Sequence, residues 1–598
     1  MAKLSFPSHL FERVVRRAAL PPGVAYLTAL LPALVAPPLL TIALLLLLHR
    51  TLRVASPPWL TAVLCVVSVP GAVVVRIQYT DLVDRRTAAS LGAVLPPDVA
   101  TGFGGLGTVF LSVRDLAAGY PGQLLGQRCV QHGNTFSIRI GWKNRVFTAE
   151  PQYIKSMLAT DFASFEKGPT FRDVFQPLLG TGVFASDGAM WKFHRDMTRP
   201  FFEKHRISDF DIFDAHVATA IAQATARLHE GHPLDVQELV GRVTLDCASA
   251  FLFGHDFRAL AAPLAYPFYR DAARPRAAQP AAFAPAFLAA QALTAVRIRY
   301  ADHWPLAEFW TDRMAAPMRS VGRVLDPILE GVVAKRQARR QEKRTGEPET
   351  LLEHLVEYTQ DIKVLRDELL NISVAGRDTV TSLTTFAVYM LAEHPAVLAK
   401  LRQEIFSRVG EKGRPDVEDI KSMKYLRAVL NETLRLYPPI PLNFRTSTKG
   451  VVWPATTPGA KPFYIPPNTM IPYGPIVMHR RTDLWGPDAL KFDPERFIDE
   501  RLQKYLIPNP FIFLPFNAGP RICLGQQFAY QEASFILIRL LQAFASISLA
   551  PSAQPPESRV PDDWHAEGAP EWMRREKVRP MSSLALYVMG GLWVTMAE

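Results

Sequence analysis

Phe516, Gly519, Arg521, Cys523 and Gly525 form an F-x-x-G-x-R-x-C-x-G arrangement inside FIFLPFNAGPRICLGQQFAYQEASFILIRLLQAF, residues Phe511 to Phe544. A single cysteine in such a place is a candidate metal ligand. The glycines let the backbone turn tightly beneath a flat cofactor, and Gln526 to Phe544, which follows, has helical apolar spacing. Backbone N–H groups and the positive end of that helix's dipole are expected to favour the thiolate over the thiol. An anionic sulfur with one open face suits an iron held in a porphyrin, where thiolate ligation favours O–O cleavage. A cysteine taken alone is most often a buried free thiol. Five specified positions in ten residues reverse that reading for Cys523.

A second set of reactive types sits in Ala375, Gly376, Arg377, Asp378 and Thr379, at the centre of the proline-free run Leu365 to Glu393. As a helix this run is about 43 Å long. Gly376 weakens it locally, and the Thr379 hydroxyl competes for the Ala375 carbonyl one turn back, so a groove is expected there. In that groove Thr379 and Asp378 could hold or relay the protons consumed when dioxygen is split. Trp191 and Arg195 stand four apart, on one helical face, where both could donate to a haem propionate; an ordinary tryptophan–arginine stack has the same spacing. Glu432 and Arg435 are one turn apart in Tyr425 to Tyr437, which has helical spacing and stops before Pro438-Pro439. Alone, such a pair is usually surface decoration worth a fraction of a kcal/mol.

The rest of the chain must position these groups. Its 598 residues, 48% hydrophobic and 21% charged, suffice for one large domain with appendages. Cys65, Cys129, Cys247 and Cys523 show no close pairing, which argues against a zinc ribbon or a disulfide framework and for a reducing compartment. The net charge of +11 suits an anionic membrane or an acidic partner protein; no motif supports nucleic acid. Gly23 to Leu48 and Val54 to Val75 are uncharged runs separated by a short polar stretch, the first about 39 Å long if wholly helical. They form either a helical hairpin or one span with an interfacial partner, and Pro32, Pro37 and Pro38 complicate the first helix. Both are too long for a cleaved secretory signal. Lys3, Arg13, Arg16 and Arg17 before them and Arg76, Arg85 and Arg86 after them place both flanks in the cytosol if both runs span.

Further along, Phe136 to Trp142 and Arg145 to Ala149 read as a hairpin turning at Lys143-Asn144. Lys167 to Gly188 reads as loop, with Phe171, Phe175, Leu178 and Phe184 as candidate pocket residues. Ala259 to Ala290 is Ala- and Pro-rich and is expected to break helices. Lys335 to Arg344 is a basic run, either a solvated helix face or a docking patch. Ala585 to Met596 reads as two strands around Gly590-Gly591.

From Phe136 onward the chain resembles the cytochrome P450 superfamily, on F-x-x-G-x-R-x-C-x-G, A-G-x-D-T, E-x-x-R and W-x-x-x-R. The resemblance implies a mainly α fold with small β-sheets (α+β). It also implies haem b, iron protoporphyrin IX, with Cys523 as thiolate ligand. In the same light Phe516 lies beneath the cofactor, while Arg445, with Trp191, Arg195 and Arg521, neutralises propionates that are costly to leave unpaired. It makes Arg496, in Pro494-Glu-Arg-Phe497, the third member of a buried triad with Glu432 and Arg435, the segment around Lys167 to Gly188 the loop over the substrate, and the Gly590-Gly591 turn a protrusion into the pocket. Val380 replaces the Thr or Ser common after A-G-x-D-T. The implied organisation is an N-terminal transmembrane anchor, residues 1–86, and a catalytic domain, 87–598, facing the cytosol at the endoplasmic reticulum membrane. The implied activity is insertion of one atom of O2 into a hydrophobic substrate delivered from membrane lipid, with electrons from NADPH-cytochrome P450 reductase and cytochrome b5 as a further donor. Arg377 within A-G-R-D-T, together with NETLRLYPPIPLNFRTS and the C-terminal hairpin, resembles fungal alkane and fatty-acid hydroxylases. A haem-thiolate isomerase or dehydratase, or a non-enzymatic haem binder, would also keep Cys523; Asp378-Thr379 argues against the isomerase.

Overall fold

The structure, a computed structural model, describes residues 20–99, 105, 107–108, 111, 114, 119–140, 142–203, 210–271, 283–341 and 349–598. Two apolar helices, Pro22–Leu52 and Pro58–Ser90, pack side by side, and each is long and apolar enough to cross a membrane by length and composition. Pro32, Pro37 and Pro38 stay inside the first helix without ending it. The hairpin returns to the catalytic body at both ends. Gly23 N–H donates to the Phe309 carbonyl (3.0 Å), Tyr26 Oη bonds His303 Nδ1 (2.7 Å), and Asp81 accepts from Arg139 (2.8 Å) and Asn144 (3.1 Å).

The body is helical around Ile362–Glu393, whose first turn is capped by Asp361 accepting from the N–H groups of Lys363 and Val364. Both ends of this helix are buried in the main apolar core, but Val374 to Thr379 are only half-buried. A polar stretch in the middle of a core helix is exposed only if it borders a cavity. Val236–Phe253 and Gln526–Ala543 pack against it. A six-stranded sheet lies to one side, in the order Asp98–Val99, Thr135–Ile140, Lys143–Thr148, Met470–Tyr473, Asn443–Ser447, Phe165–Glu166. Its register sets Arg445 opposite Ile471 and so turns a charged residue into the interior.

Three local expectations are corrected, and the helical reading of the basic run holds. The first hairpin turns earlier, because Trp142 takes a left-handed φ of 70° and Lys143-Asn144 already pair with Ile140 and Arg139. Lys167 to Gly188 is not all loop: Pro169–Leu179 is a helix, with Pro169 in its first turn and buried Phe171, Val174, Leu178 and Leu179 at helical spacing. The Ala/Pro-rich region gives way to the helix Phe283–Tyr300, where Pro285 falls in the first turn and costs no hydrogen bond; residues 272–282 lie outside the described residues. The basic run continues the helix Ala315–Gln341, and 342–344 lie outside them.

The chain's end is rearranged more. Leu586–Val588 pairs with Pro580–Ser582, whereas Trp593–Ala597 pairs with Ser546–Leu549 and Leu234–Asp235. Gly590-Gly591 is a crossing between two sheets, packed so closely that added Cβ atoms would meet Ser558 and Asp235 at 2.1 Å each. The turn beside the cleft is instead Ser583 to Ala585.

Candidate active site

The cysteine loop is set by backbone geometry. Gly519 has φ 68°, and a Cβ there would stand 1.7 Å from the Leu158 carbonyl oxygen, so only glycine fits. The Cys523 N–H donates to the Phe516 carbonyl (3.0 Å), closing the loop just before the helix Gln526–Ala543. Phe516 packs its ring on Tyr530, with centroids 5.0 Å apart. Of the four cysteines Cys523 alone is exposed; Cys247 is buried, Cys65 and Cys129 half-buried. The residue is exposed, yet protein packs closely enough around it to desolvate its thiol. That surrounding burial pushes the thiol up, against the opposite pull of the Gly525 N–H and of Arg195. The expected preference for thiolate is therefore outweighed until a cation meets the sulfur, and iron would supply one.

Arginines cluster beside this loop. Trp191 and Arg195 share one face of Gly188–Glu203, as their spacing requires, with the Arg195 guanidinium 5.9 Å from the Trp191 ring and donating to the Ile522 carbonyl (3.1 Å). Arg521 stacks on the same ring at 4.6 Å and donates to the Ser186 carbonyl (2.9 Å) and to Asp187 (2.7 Å). Arg445 is fully buried; one nitrogen donates to the Phe444 carbonyl, and among the described residues its Nε and Nη2 find no hydrogen-bond partner, nor does Nε of Arg521. Burial, with repulsion from Arg445 and Arg195 and against the pull of Asp187, lowers Arg521 to about 10. Buried donors left unmade cost free energy, so this cluster suits a bound group carrying carboxylates. A haem fits that donor set.

Two members of the cluster were read only as loop. Lys167 is buried, donates to Asn443 (3.0 Å) and lies 4.4 Å over the Phe171 ring; burial, then Arg445 and Arg521, holds it well below the usual lysine value. Asp187 accepts from the N–H groups of Lys167 (2.8 Å) and Gly168 (3.0 Å), from Arg172 (2.8 Å) and from Arg521. Its signal was an aspartate just ahead of a helix start, but no local pattern names its distant partners.

Asp378 and Thr379 occupy a different wall. Thr379 Oγ1 donates to the Ala375 carbonyl (2.5 Å), as expected, but the helix runs on unbroken through Gly376, so the threonine bond does not interrupt it. Asp378 accepts from Arg377 (2.5 Å), and burial, partly offset by that guanidinium, raises its carboxyl. It borders a cleft of about 1520 Å³ with Gln291, Arg377, Thr381, Arg242 and Tyr587. Neither Cys523 nor Thr379 lines that cleft; helical spacing turns Thr379 to another side.

An exposed loop-borne cysteine, a cluster of arginines and a polar threonine on a core helix are the features of a haem-thiolate protein. Residues 110–561 match the family model described as Cytochrome P450. The chain is 35% identical to cytochrome P450 52A12 of Debaryomyces hansenii over 474 residues, covering 78% of this chain and 89% of that protein. It is 37% identical to cytochrome P450 52A3-A of Candida maltosa over 423 residues (69% and 78%), and 35% identical to cytochrome P450 monooxygenase himC of Aspergillus japonicus over 425 (69% and 71%). The chain belongs to the cytochrome P450 family. It is a membrane-anchored, oxygen-dependent monooxygenase with an iron protoporphyrin IX held by a cysteine thiolate; it takes a hydrophobic substrate and receives electrons from a redox partner.

Proposed function

We propose that Cys523 is the iron ligand, that Phe516, Trp191, Arg195, Arg445 and Arg521 hold the haem, and that Asp378 and Thr379 handle its protons. The observation carrying this reading is the one exposed cysteine, on a closed loop, beside buried arginines with unpartnered donors. When bound, the haem supplies reductive activation of dioxygen and transfer of one oxygen atom to a C–H bond. The chain supplies the rest. Arg445 and Arg521 offer their spare N–H groups to the propionates, and Trp191 stacks between Arg521 and Arg195 to fix both guanidinium planes. The raised carboxyl of Asp378 retains a proton nearer neutral pH than a solvated aspartate and borders the cleft. Thr379 has an oxygen free to accept a proton while its hydrogen is held by Ala375.

The substrates are long-chain apolar compounds, fatty acids and alkanes first, with tolerance of aromatic hydrocarbons or alkylphenols. Supporting this are Phe171 and Phe175, stacked on the helix Pro169–Leu179, with Phe444 tilted against Phe171, and an anchor that brings the site to lipid. The electron donor is NADPH-cytochrome P450 reductase, with cytochrome b5 as an accessory. Residues 1–86 form the anchor in the endoplasmic reticulum membrane and 87–598 the catalytic domain on its cytosolic side. Both ends of the helical hairpin meeting the same body agree with that arrangement. The test is Cys523→Ala: the reduced protein should lose the red-shifted carbon monoxide band, and a persistent band would overturn the ligand assignment. Spectral titration of the native protein with fatty acids, alkanes and polycyclic aromatics then ranks the substrates.

A further inference from the structure

Asp187 draws together segments that otherwise have no reason to move as one. One carboxylate oxygen accepts from the Lys167 N–H and from Arg521, the other from the Gly168 N–H and from Arg172. Lys167 and Gly168 lead into the helix Pro169–Leu179 and Arg172 lies in its first turn, whereas Arg521 belongs to the cysteine loop. Asp187 and Arg521 side chains are each 7% exposed, so both bonds to the arginine side are shielded from water; Arg172, at 38%, is the outer contact. The buried charges here are Lys167, Arg445 and Arg521 against the single carboxylate of Asp187. Removing it would leave Arg521 facing Arg445 and Arg195 with only half-buried Glu166 as a nearby counter-charge.

We propose that Asp187 is a positioning residue that ties the roof over the substrate to the arginine at the cofactor's edge, so that roof contacts and haem-edge charge change together. The roof cannot lift without breaking bonds to the carboxylate that also holds Arg521. Charge-assisted hydrogen bonds sharing one acceptor group behave as a network, and their deletions are non-additive. This rests on the placement of Arg521 at the haem edge and of Pro169–Leu179 over the substrate.

The probes are imidazole, which reaches the iron without needing the roof, and 1-dodecylimidazole, whose chain must lie against it. Both are followed by their absorbance shift in the haem-loaded full-length protein. Asp187→Asn should weaken dodecylimidazole about tenfold and leave imidazole within about twofold. It should also move the ferric/ferrous midpoint potential positive, because a negative charge near the haem edge is lost. Arg172→Gln should weaken dodecylimidazole about threefold and add nothing in the Asp187→Asn background. Additive losses, equal losses for both azoles, or an unmoved potential would overturn the coupling. If Asp187→Asn fails to take up haem, Arg172→Gln alone decides, since its loss must be confined to the long-chain azole and accompanied by a shifted potential. Failure of the ligand assignment is read separately, from the carbon monoxide band of Cys523→Ala.

Discussion

The two sides of the site are held by different kinds of bond. Behind the cysteine loop, Glu432, Arg435, Arg496 and His479 are almost fully buried, and their partners are mostly backbone atoms. Arg435 grips Glu432 through two 2.7 Å bonds and donates to the carbonyls of His479, Ala489 and Lys491, and Arg496 lies 3.6 Å from Glu432. His479 in turn accepts from the Leu514 N–H (2.9 Å), two residues before Phe516. The expected triad thus reaches the cysteine loop through a histidine. Above the site, by contrast, Asp187 and Asp302 join the roof to the rest through side chains that include exposed Lys143 and partly exposed Arg172. On the proposed assignment, a cradle for iron spends its charges on buried backbone carbonyls, and a cover that admits substrate uses ties that water can loosen.

The largest expected effect tests the cradle. Glu432→Ala leaves the Arg435 guanidinium in the interior without its carboxylate, while Arg496 keeps Asp488 (3.0 Å), and a buried pair broken on one side costs about 3–5 kcal/mol. Purified protein should hold little haem and lack a cooperative thermal transition near that of the parent. Normal haem content would place the rigidity of the loop elsewhere.

How far this contrast could be read from the sequence follows from the range of the bonds involved. The loop from Phe516 to Gly525 was legible because its conformation is local, fixed by Gly519 and by the Cys523–Phe516 bond within one decapeptide. Trp191 and Arg195 were legible from helical spacing alone. His479 reaching Leu514, and Asp187 reaching Arg521, join residues far apart in the chain and leave no periodic trace. The helix Pro169–Leu179 was hidden by its flanking glycines and Pro177, and the final strands were mispaired because Gly590-Gly591 looks like a hairpin turn when it joins two sheets.

An acid titration gives the next effect. Burial, aided by repulsion from Arg435, lowers His479 to about 3, so it stays neutral and accepts the Leu514 bond in the folded protein. The unfolded chain takes up this proton near its ordinary value of about 6.5, and the folded one does not. The contribution of the neutral ring is therefore full above that value and is lost as pH falls from about 6.5 towards 3, amounting to about 2 kcal/mol by pH 5. Denaturation midpoints and the carbon monoxide band, followed from pH 7.5 to 5, should decline together. A variant that keeps an acceptor without titrating, His479→Gln, should flatten the slope; an unchanged slope would assign the acid sensitivity to another group.

The smallest effect on stability, and the sharpest on behaviour, belongs to the cover. Asp302 accepts from Thr170 in the roof helix (2.8 Å) and from Lys143 of the first hairpin (2.8 Å). Its neighbour His303 bonds Tyr26 at the start of the first apolar helix. Its carboxyl is lowered to about 2, with Lys143 and Arg145 overcoming the opposing effect of burial, so it is charged at every working pH. Lys143 is 69% exposed, and screening leaves such a pair worth no more than about 1 kcal/mol. Asp302→Asn should therefore lower the thermal midpoint less than Glu432→Ala does, the loss coming from buried Arg145, while 1-dodecylimidazole binds and leaves a few times faster, because the tie between the roof helix and the first hairpin has been cut. Added salt should speed the parent more than the variant, since the screened pair is already missing in the latter. If salt speeds both alike, or if the variant loses stability as Glu432→Ala does, Asp302 belongs with the cradle and the division between the two sides fails.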